Sequence, residues 1–327
     1  MNSNIISKVN SIFILVSFFC IIQSCKNKAT KTEPKPTQIT QEASPFFKLS
    51  LAQWSLHKYV LEEKKSPFHF ASQAKELGFE GLEYVNHLYA KEIETLGFDI
   101  VIDSLLVLSK KHKMRNVLIM IDGQGDLADP DVTVRDKAVE NHKQWVDAAQ
   151  KLGCHSIRVN TFGTNDPVLW VPSVVDGLKK LATYAATKNI NVLCENHGWL
   201  SSDVPVLMDA ISKVNMANCG TLPDFGNWCI KRKDITAKWG ECEEVYPNKY
   251  KGIETLLTKA KAVSAKAYDF DENGNETTLD FPRIIQMVKD ANYRGYIGVE
   301  YEGDRLSENE GIIAIRDLLL KSAKIVK

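Results

Sequence analysis

The 327-residue chain has no surplus of either charge: 41 Lys and Arg meet 41 Asp and Glu. It therefore carries no electrostatic footprint for nucleic acid, although a small anionic substrate is not excluded. Its seven cysteines include no Cys-x-x-Cys pair, which argues against a cysteine-held zinc. No Gly-x-Gly-x-x-Gly follows the first strand-like run, which weakens a dinucleotide-binding reading. A comfortable membrane span is also missing at the N-terminus, where Lys8 precedes the apolar run 12–22. That run has the length and form of a signal-peptide core.

Ile22-Gln23-Ser24-Cys25 follows it. This is the arrangement of a bacterial lipobox, with Gln23 larger than usual at its place. The expectation is a lipoprotein signal peptide over 1–24, lipidation at Cys25 and a membrane contact through that lipid anchor. The chain would then be exported and held on the cell envelope, facing the periplasm. Residues 25–45 are rich in Lys, Thr, Pro and Gln. They have almost nothing to bury and read as a flexible tether. Of the later cysteines, Cys154, Cys194 and Cys219 fall at or beside strand-like runs, where a buried free thiol is expected. Cys229 and Cys242 share one long loop and can pair in an oxidising compartment, though nothing in the spacing requires it.

From residue 46 to 327 short apolar runs alternate with helical patterns. The strands are expected at 49–54, 81–84, 116–121, 156–159, 192–195, a run ending at Asp224, 262–266 and 297–301. Helix signals punctuate them. Ser66-Pro67 offers a cap and a first-turn proline. Gly78 and Gly153 suit left-handed exits. The fourth helix is expected from Pro172, the fifth after a cap cluster at Ser201-Ser202-Asp203, and the last behind the capping box Ser307-Glu308-Asn309-Glu310. Residues 225–248 form a long loop carrying Trp228, Trp239 and Tyr246 that could fold over a site. Apolar runs without alternation suit parallel strands buried on both faces. Eight strand–helix units favour a closed (β/α)8 TIM barrel over an open α/β sheet.

Barrels keep their chemistry at the C-terminal strand ends. The groups there are Gln53, Trp54, Glu83, Asp122, Arg158, Asn160, Glu195, His197, Asp224, Asn227, Lys266, Glu300 and Glu302. Buried carboxylates must be paired, protonated or metal-bound, and converging acids raise one another's pKa. Mg2+ or Mn2+ would relieve the repulsion, since both favour carboxylate oxygens; Arg158 and Lys266 could do so by direct pairing. Arg158 also suits recognition of an anionic group, and Trp54 could stack on a sugar face.

The stretches Cys194-Glu195-Asn196-His197-Gly198, Pro223-Asp224-Phe225-Gly226-Asn227, Val263-Ser264-Ala265-Lys266 and Gly298-Val299-Glu300-Tyr301-Glu302 occur in this order. In them the chain resembles the xylose isomerase-like barrels, the sugar phosphate isomerase/epimerase group. The resemblance implies a divalent metal held by Glu195, Asp224 and Glu300, with Glu195 and Glu300 doubling as the acid–base pair. It departs from the family twice. Ser264 stands at the strand-seven His position, and Asn227 replaces a His after the strand-six Asp. His197 could supply a nitrogen ligand instead, or Lys266 could neutralise the acids without metal.

The resulting expectation is a sugar isomerase or epimerase that moves a proton next to a carbonyl. Gln53, Trp54, Glu83, Asp122, Arg158, Asn160, His197, Asn227, Lys266 and Glu302 would surround the small carbohydrate substrate. A sugar lyase or dehydratase can use the same groups. A lipid-anchored carbohydrate-binding barrel without catalysis is the non-enzymatic rival. The sequence leaves the sugar and the oligomeric state open.

Overall fold

The computed structural model describes residues 44–327; the expected signal peptide, Cys25 and nearly all of the tether lie outside the described residues. Among the described residues ten strands occur in chain order: β1 (Lys48–Ala52), β2 (Gly81–Val85), β3 (Arg115–Ile121), β4 (Ser156–Val159), β5 (Asn191–Glu195), β6 (Cys219–Leu222), β7 (Cys229–Arg232), β8 (Cys242–Val245), β9 (Val263–Ala267) and β10 (Tyr296–Tyr301). Eight of them pair in parallel in the order β6-β5-β4-β3-β2-β1-β10-β9. β7 and β8 stand apart as an antiparallel hairpin.

The sheet closes on itself at a thin seam. Pro223 has no N–H to donate, so the ladder of β6 stops at Leu222. Single parallel bridges, Thr221 with Ala260 and Asp224 with Ser264, join β6 to the β9 side. Ser264 N–H donates to the Pro223 carbonyl at 2.9 Å and Phe225 N–H to the Ser264 carbonyl at 3.1 Å. The expected (β/α)8 barrel is thus present, and Asp224 sits on its closing seam.

Side-chain alternation along each strand divides the core in two. Leu51, Ile157, Val192, Cys194, Val263 and Val299 face the helices in the larger apolar cluster. Ala52, Leu118, Met120, Leu193 and Leu222 make a smaller one. Leu193 shares a strand face with Glu195, and Leu222 shares one with Asp224. The small cluster is therefore an apolar plug inside the barrel, below the charged strand ends.

The caps follow the sequence in most places. Asp131 accepts from Thr133 N–H at the head of the helix Val132–Leu152, which exits through Gly153 at φ +77°. Ser307 and Glu310 form the full capping box of Glu308–Ile325. Two expectations are corrected. The fourth helix begins at Pro167, capped by Asp166, and runs to Thr187 with Pro172 inside it. Asp166-Pro167 is itself a cap and first-turn proline, and it outcompetes the later proline. Ser201 and Ser202 do not cap the helix Val204–Val214; they hold the exit of β5, as described below.

The long loop is the β7–β8 hairpin, and a disulfide joins Cys229 and Cys242, the first residues of its two strands. Cys154, Cys194 and Cys219 are free and buried, as expected. Among the described residues no helix is long and apolar enough to cross a membrane.

Candidate active site

Three acids end three strands and meet. Oxygens of Glu195, Asp224 and Glu300 all lie within 4.8 Å of one another, and all three side chains are buried. Asn196 is the strut between the first two. Its amide donates to the carbonyls of Asp224 (3.0 Å) and Asn227 (3.1 Å), and its oxygen accepts from Asp224 N–H at 2.7 Å. Ser201 and Ser202 brace the same turn by accepting from the N–H groups of His197 (2.9 Å) and Gly198 (2.8 Å). Gly198 has φ +96°, a conformation glycine adopts at little cost.

Each acid has its own environment. Asp224 Oδ1 accepts from Gly226 and Asn227 N–H, both at 2.8 Å. Its Oδ2 lies 2.7 Å from Ser264 Oγ, which is also 2.9 Å from Glu300 Oε2. A hydroxyl has one proton, so Ser264 can bridge the two acids fully only when one of them is protonated. Glu195 accepts from Asn227 Nδ2 at 3.0 Å and lies 2.9 Å from Arg158 Nε. That ion contact lacks hydrogen-bond alignment, so the Nε donor stays uncommitted. Lys266 Nζ stands 3.7 Å from Glu300 and 3.2 Å from Glu302, and 3.4 Å from Asn227 Oδ1.

Burial, offset or reinforced by neighbouring charge, sets the protonation. Burial raises Glu195 well above its ordinary range; Arg158 opposes this, while Asp224 and Glu300 reinforce it. Glu300 is pushed up to about 7, by burial first, with Lys266 pulling down and Glu302 and Asp224 pushing up. Asp224 is raised by burial against the pull of Lys266 and Ser264. Burial alone would discharge Lys266, but Glu300, Glu302 and Asp224 hold it well above the usual lysine value. His197 is driven well below 6.5 by burial and by Arg158, Lys266 and Arg232, so it is neutral.

Arg158 and Lys266 pair with Glu195 and Glu300 and pull the acids down, yet burial leaves all three raised. A donor set of carboxylate oxygens, with the Ser264 hydroxyl alongside, fits a hard divalent cation of the Mg2+ or Mn2+ type. His197 is outside the triad. Its Nδ1 faces Asn160 Oδ1 at 2.7 Å and stands 3.8 Å from Glu195.

Of the triad, Glu300 lines a cavity of about 570 Å³, while Glu195 and Asp224 pack against Glu300 outside the lining. Trp54, Asp122, Arg158, His197, Asn227, Lys266, Glu300 and Glu302 line it. Asn160 lies behind them, donating to Asp122 at 2.6 Å, and Asp122 also accepts from Arg158 at 2.8 Å. Beyond Asn160, Glu195 and Asp224, which sit next to lining residues, two sequence candidates lie away from the cavity altogether. Gln53 is a buried plug that donates to Tyr89 Oη at 2.8 Å and accepts from Val85 N–H at 3.2 Å. Glu83 lies inside the barrel, fully buried, where it accepts from Ser50 Oγ at 2.5 Å and fills the space left by Gly298. Gln53 follows β1 and is held by Val85 of β2 and Tyr89 of the turn after it, while Glu83 is the middle residue of β2 and is held by Ser50 of β1, partners that no local pattern reveals.

The hairpin contributes residues that the strand-end reading passed over. Trp239 stands 4.6 Å from the His197 ring and 5.2 Å from Phe162, and Lys238 pairs with Asp126 across the mouth. Arg232 and Tyr268 complete the wall. The only signal for this in the sequence is the aromatic content of the long loop.

Residues 71–322 match the family model described as the xylose isomerase-like TIM barrel. A 46-residue stretch is 48% identical to the C-glycoside deglycosidase alpha subunit of Arthrobacter globiformis, covering 14% of this chain and 13% of that protein. The chain therefore aligns with only a small part of the curated relative's length. The structure resembles D-psicose 3-epimerase from Clostridium cellulolyticum H10, solved with D-tagatose (TM-score 0.64, 14% identity, 85% of this chain and 99% of that one). It also resembles a probable 3-DHS dehydratase from Bacillus anthracis (TM-score 0.59, 18% identity, 84% and 99%).

Proposed function

The chain belongs to the xylose isomerase-like TIM-barrel family, and from that premise we propose that it is a carbohydrate-processing enzyme, an isomerase or epimerase that moves a proton next to a carbonyl. The observation that carries this is the pair Glu195 and Glu300: two buried carboxylates with raised pKa whose oxygens lie within 4.8 Å of each other, with Glu300 lining a sugar-sized cavity. General acid–base work at neutral pH needs carboxyls shifted in this direction.

One of the pair, ionised, takes the proton from the carbon beside the carbonyl. The charge that develops on the carbonyl oxygen is met by the Lys266 ammonium, a preorganised donor in a water-poor site. The other, protonated, returns a proton to the opposite face or to the neighbouring carbon. Arg158 and Asn227 hold Glu195 in place; Ser264 and Lys266 do the same for Glu300. Asp224, with its backbone bonds and Ser264, orients the pair. A divalent cation, when bound, would be held by Glu195, Asp224 and Glu300 and would polarise the substrate carbonyl.

A second reading is a lyase, in which the same abstraction is followed by loss of a group from the next carbon. The short match to a deglycosidase subunit supports it. Product analysis tests both readings. A panel of ketoses and keto-glycosides should yield an epimer or isomer for the first reading and an unsaturated product for the second. Tight sugar binding with no product anywhere would instead support the non-catalytic binding barrel. The lipobox supports a lipid-anchored, exported enzyme; metabolic labelling with palmitate should mark the wild-type chain and not Cys25→Ala, and equal labelling would contradict the anchor.

A further inference from the structure

A second cavity, of about 330 Å³, adjoins the first, and Asn227, Arg232 and Tyr268 form the wall they share. Acids and cations line the first cavity together, whereas the second is lined by cations without acids. Arg232 and Lys249 both line it, and no Asp or Glu does. Glu276, on the loop that supplies part of this wall, turns its carboxylate onto the N–H groups of Tyr268, Thr278 and Leu279.

The two cations have no acidic partner among the described residues. Lys249 Nζ donates to the Thr278 carbonyl. Arg232 donates from Nη1 to the Gly240 carbonyl at 2.8 Å, and its Nε is buried with no partner. This differs from Arg158 and Lys266, which are each matched by two acids. Arg232 is also well held. It ends β7, whose other end is tied by the Cys229–Cys242 disulfide. Its Nη2 packs where Gly198 has no side chain; a Cβ there would come within 3.3 Å. A guanidinium with free donors, fixed at the junction of two cavities, is a preorganised receptor for a planar or tetrahedral oxyanion.

We infer that the cavity walled by Arg232 and Lys249 receives an anionic group of the substrate, a carboxylate, sulfate or phosphate, while the reacting carbon lies over Glu195 and Glu300. This rests on the proposed function for the place of the reacting carbon. The substrate class it implies is an acidic sugar, or a glycoside with an acidic second part.

Calorimetry on the whole chain tests the inference with inorganic sulfate and with matched sugars: uronic acids against their hexoses, and sugar phosphates or sulfates against the free sugars. At least one acidic sugar should bind tenfold or more tightly than its neutral match, with sulfate competing. Arg232→Gln should remove that advantage, weakening the acidic sugar at least tenfold more than its neutral match; Lys249→Gln, at a half-buried wall position, should reduce it severalfold. Equal affinities within every pair, or an advantage that survives both substitutions, would overturn the inference. Sulfate binding without any preference for acidic sugars would overturn the assignment to substrate. The readout is affinity, so Glu195→Gln should retain the preference. A preference without turnover in the wild type would count against the proposed function alone.

Discussion

Glu83→Gln should change how stability depends on pH. The Glu83 carboxyl is fully buried, has one donor in Ser50 and leaves Oε2 without a partner. Burial lifts its pKa from 4.5 to about 8, with Ser50 opposing and the Glu300 charge adding to the rise. The folded chain therefore keeps a proton that the unfolded chain releases near 4.5. The stabilisation is complete below the unfolded value, declines as pH rises, and is gone above about 8. At about 1.4 kcal/mol for each tenfold change, the loss between pH 4.5 and 8 is on the order of 5 kcal/mol. That is a large part of a typical folding free energy of ~5–15 kcal/mol. Gln cannot ionise, but its amide brings two N–H donors where the protonated acid has one O–H, into a site with one partner, at a cost of ~1–3 kcal/mol at every pH. Urea unfolding of both proteins from pH 5 to 9 should give curves that cross. The wild type should be the more stable near pH 5 and the variant near pH 8.5. Parallel curves would mean that Glu83 is ionised in the fold and would refute the account of the barrel interior.

Ser264→Ala removes the hydroxyl between Asp224 and Glu300 and should cost ~1–3 kcal/mol in urea unfolding at pH 7; a change within ~0.5 kcal/mol would mean that the bridge contributes nothing. Mn2+ or Mg2+ at a hundredfold excess over its Kd should stabilise the wild type by about 2.7 kcal/mol and leave Glu195→Gln/Asp224→Asn unmoved; no shift in the wild type would argue against a cation at the triad. Cys229→Ser/Cys242→Ser frees a 13-residue separation in the hairpin, a constraint on the order of 3 kcal/mol on chain entropy. Proteolysis within 233–241 should accelerate and KM should rise more than kcat falls; unchanged kinetics and cleavage would show the hairpin to be held by other contacts.

The barrel was legible because its strands announce themselves. Runs such as Val192–Cys194 and Ile297–Val299 are apolar without alternation, and each ends in an acid. The triad was legible for the same reason: burial on both faces leaves a terminal carboxylate nowhere to point but the mouth. What escaped depends on partners distant in sequence. Gln53 and Glu83 look like site residues until Tyr89 and Ser50 claim them. Ser201 and Ser202 resemble a helix cap, yet the orphan N–H groups of His197 and Gly198 compete for their hydroxyls. Asn196 reads as one polar residue among three, and its role as a strut appears only when the ends of β5 and β6 are side by side. The hairpin is short-stranded and charged, with no apolar periodicity, so its aromatics, Trp239 among them, marked the loop as one that could cover a site, but nothing singled out Arg232.

The central claim, that Glu195 and Glu300 move a proton beside a carbonyl, is tested most directly by solvent exchange. Keto-sugars recovered after incubation with the protein in D2O should carry deuterium at the carbon next to the carbonyl. The label should fall by at least a hundredfold with Glu195→Gln or Glu300→Gln. Exchange that persists in both variants, or an unlabelled sugar that nonetheless appears as epimer, would contradict it.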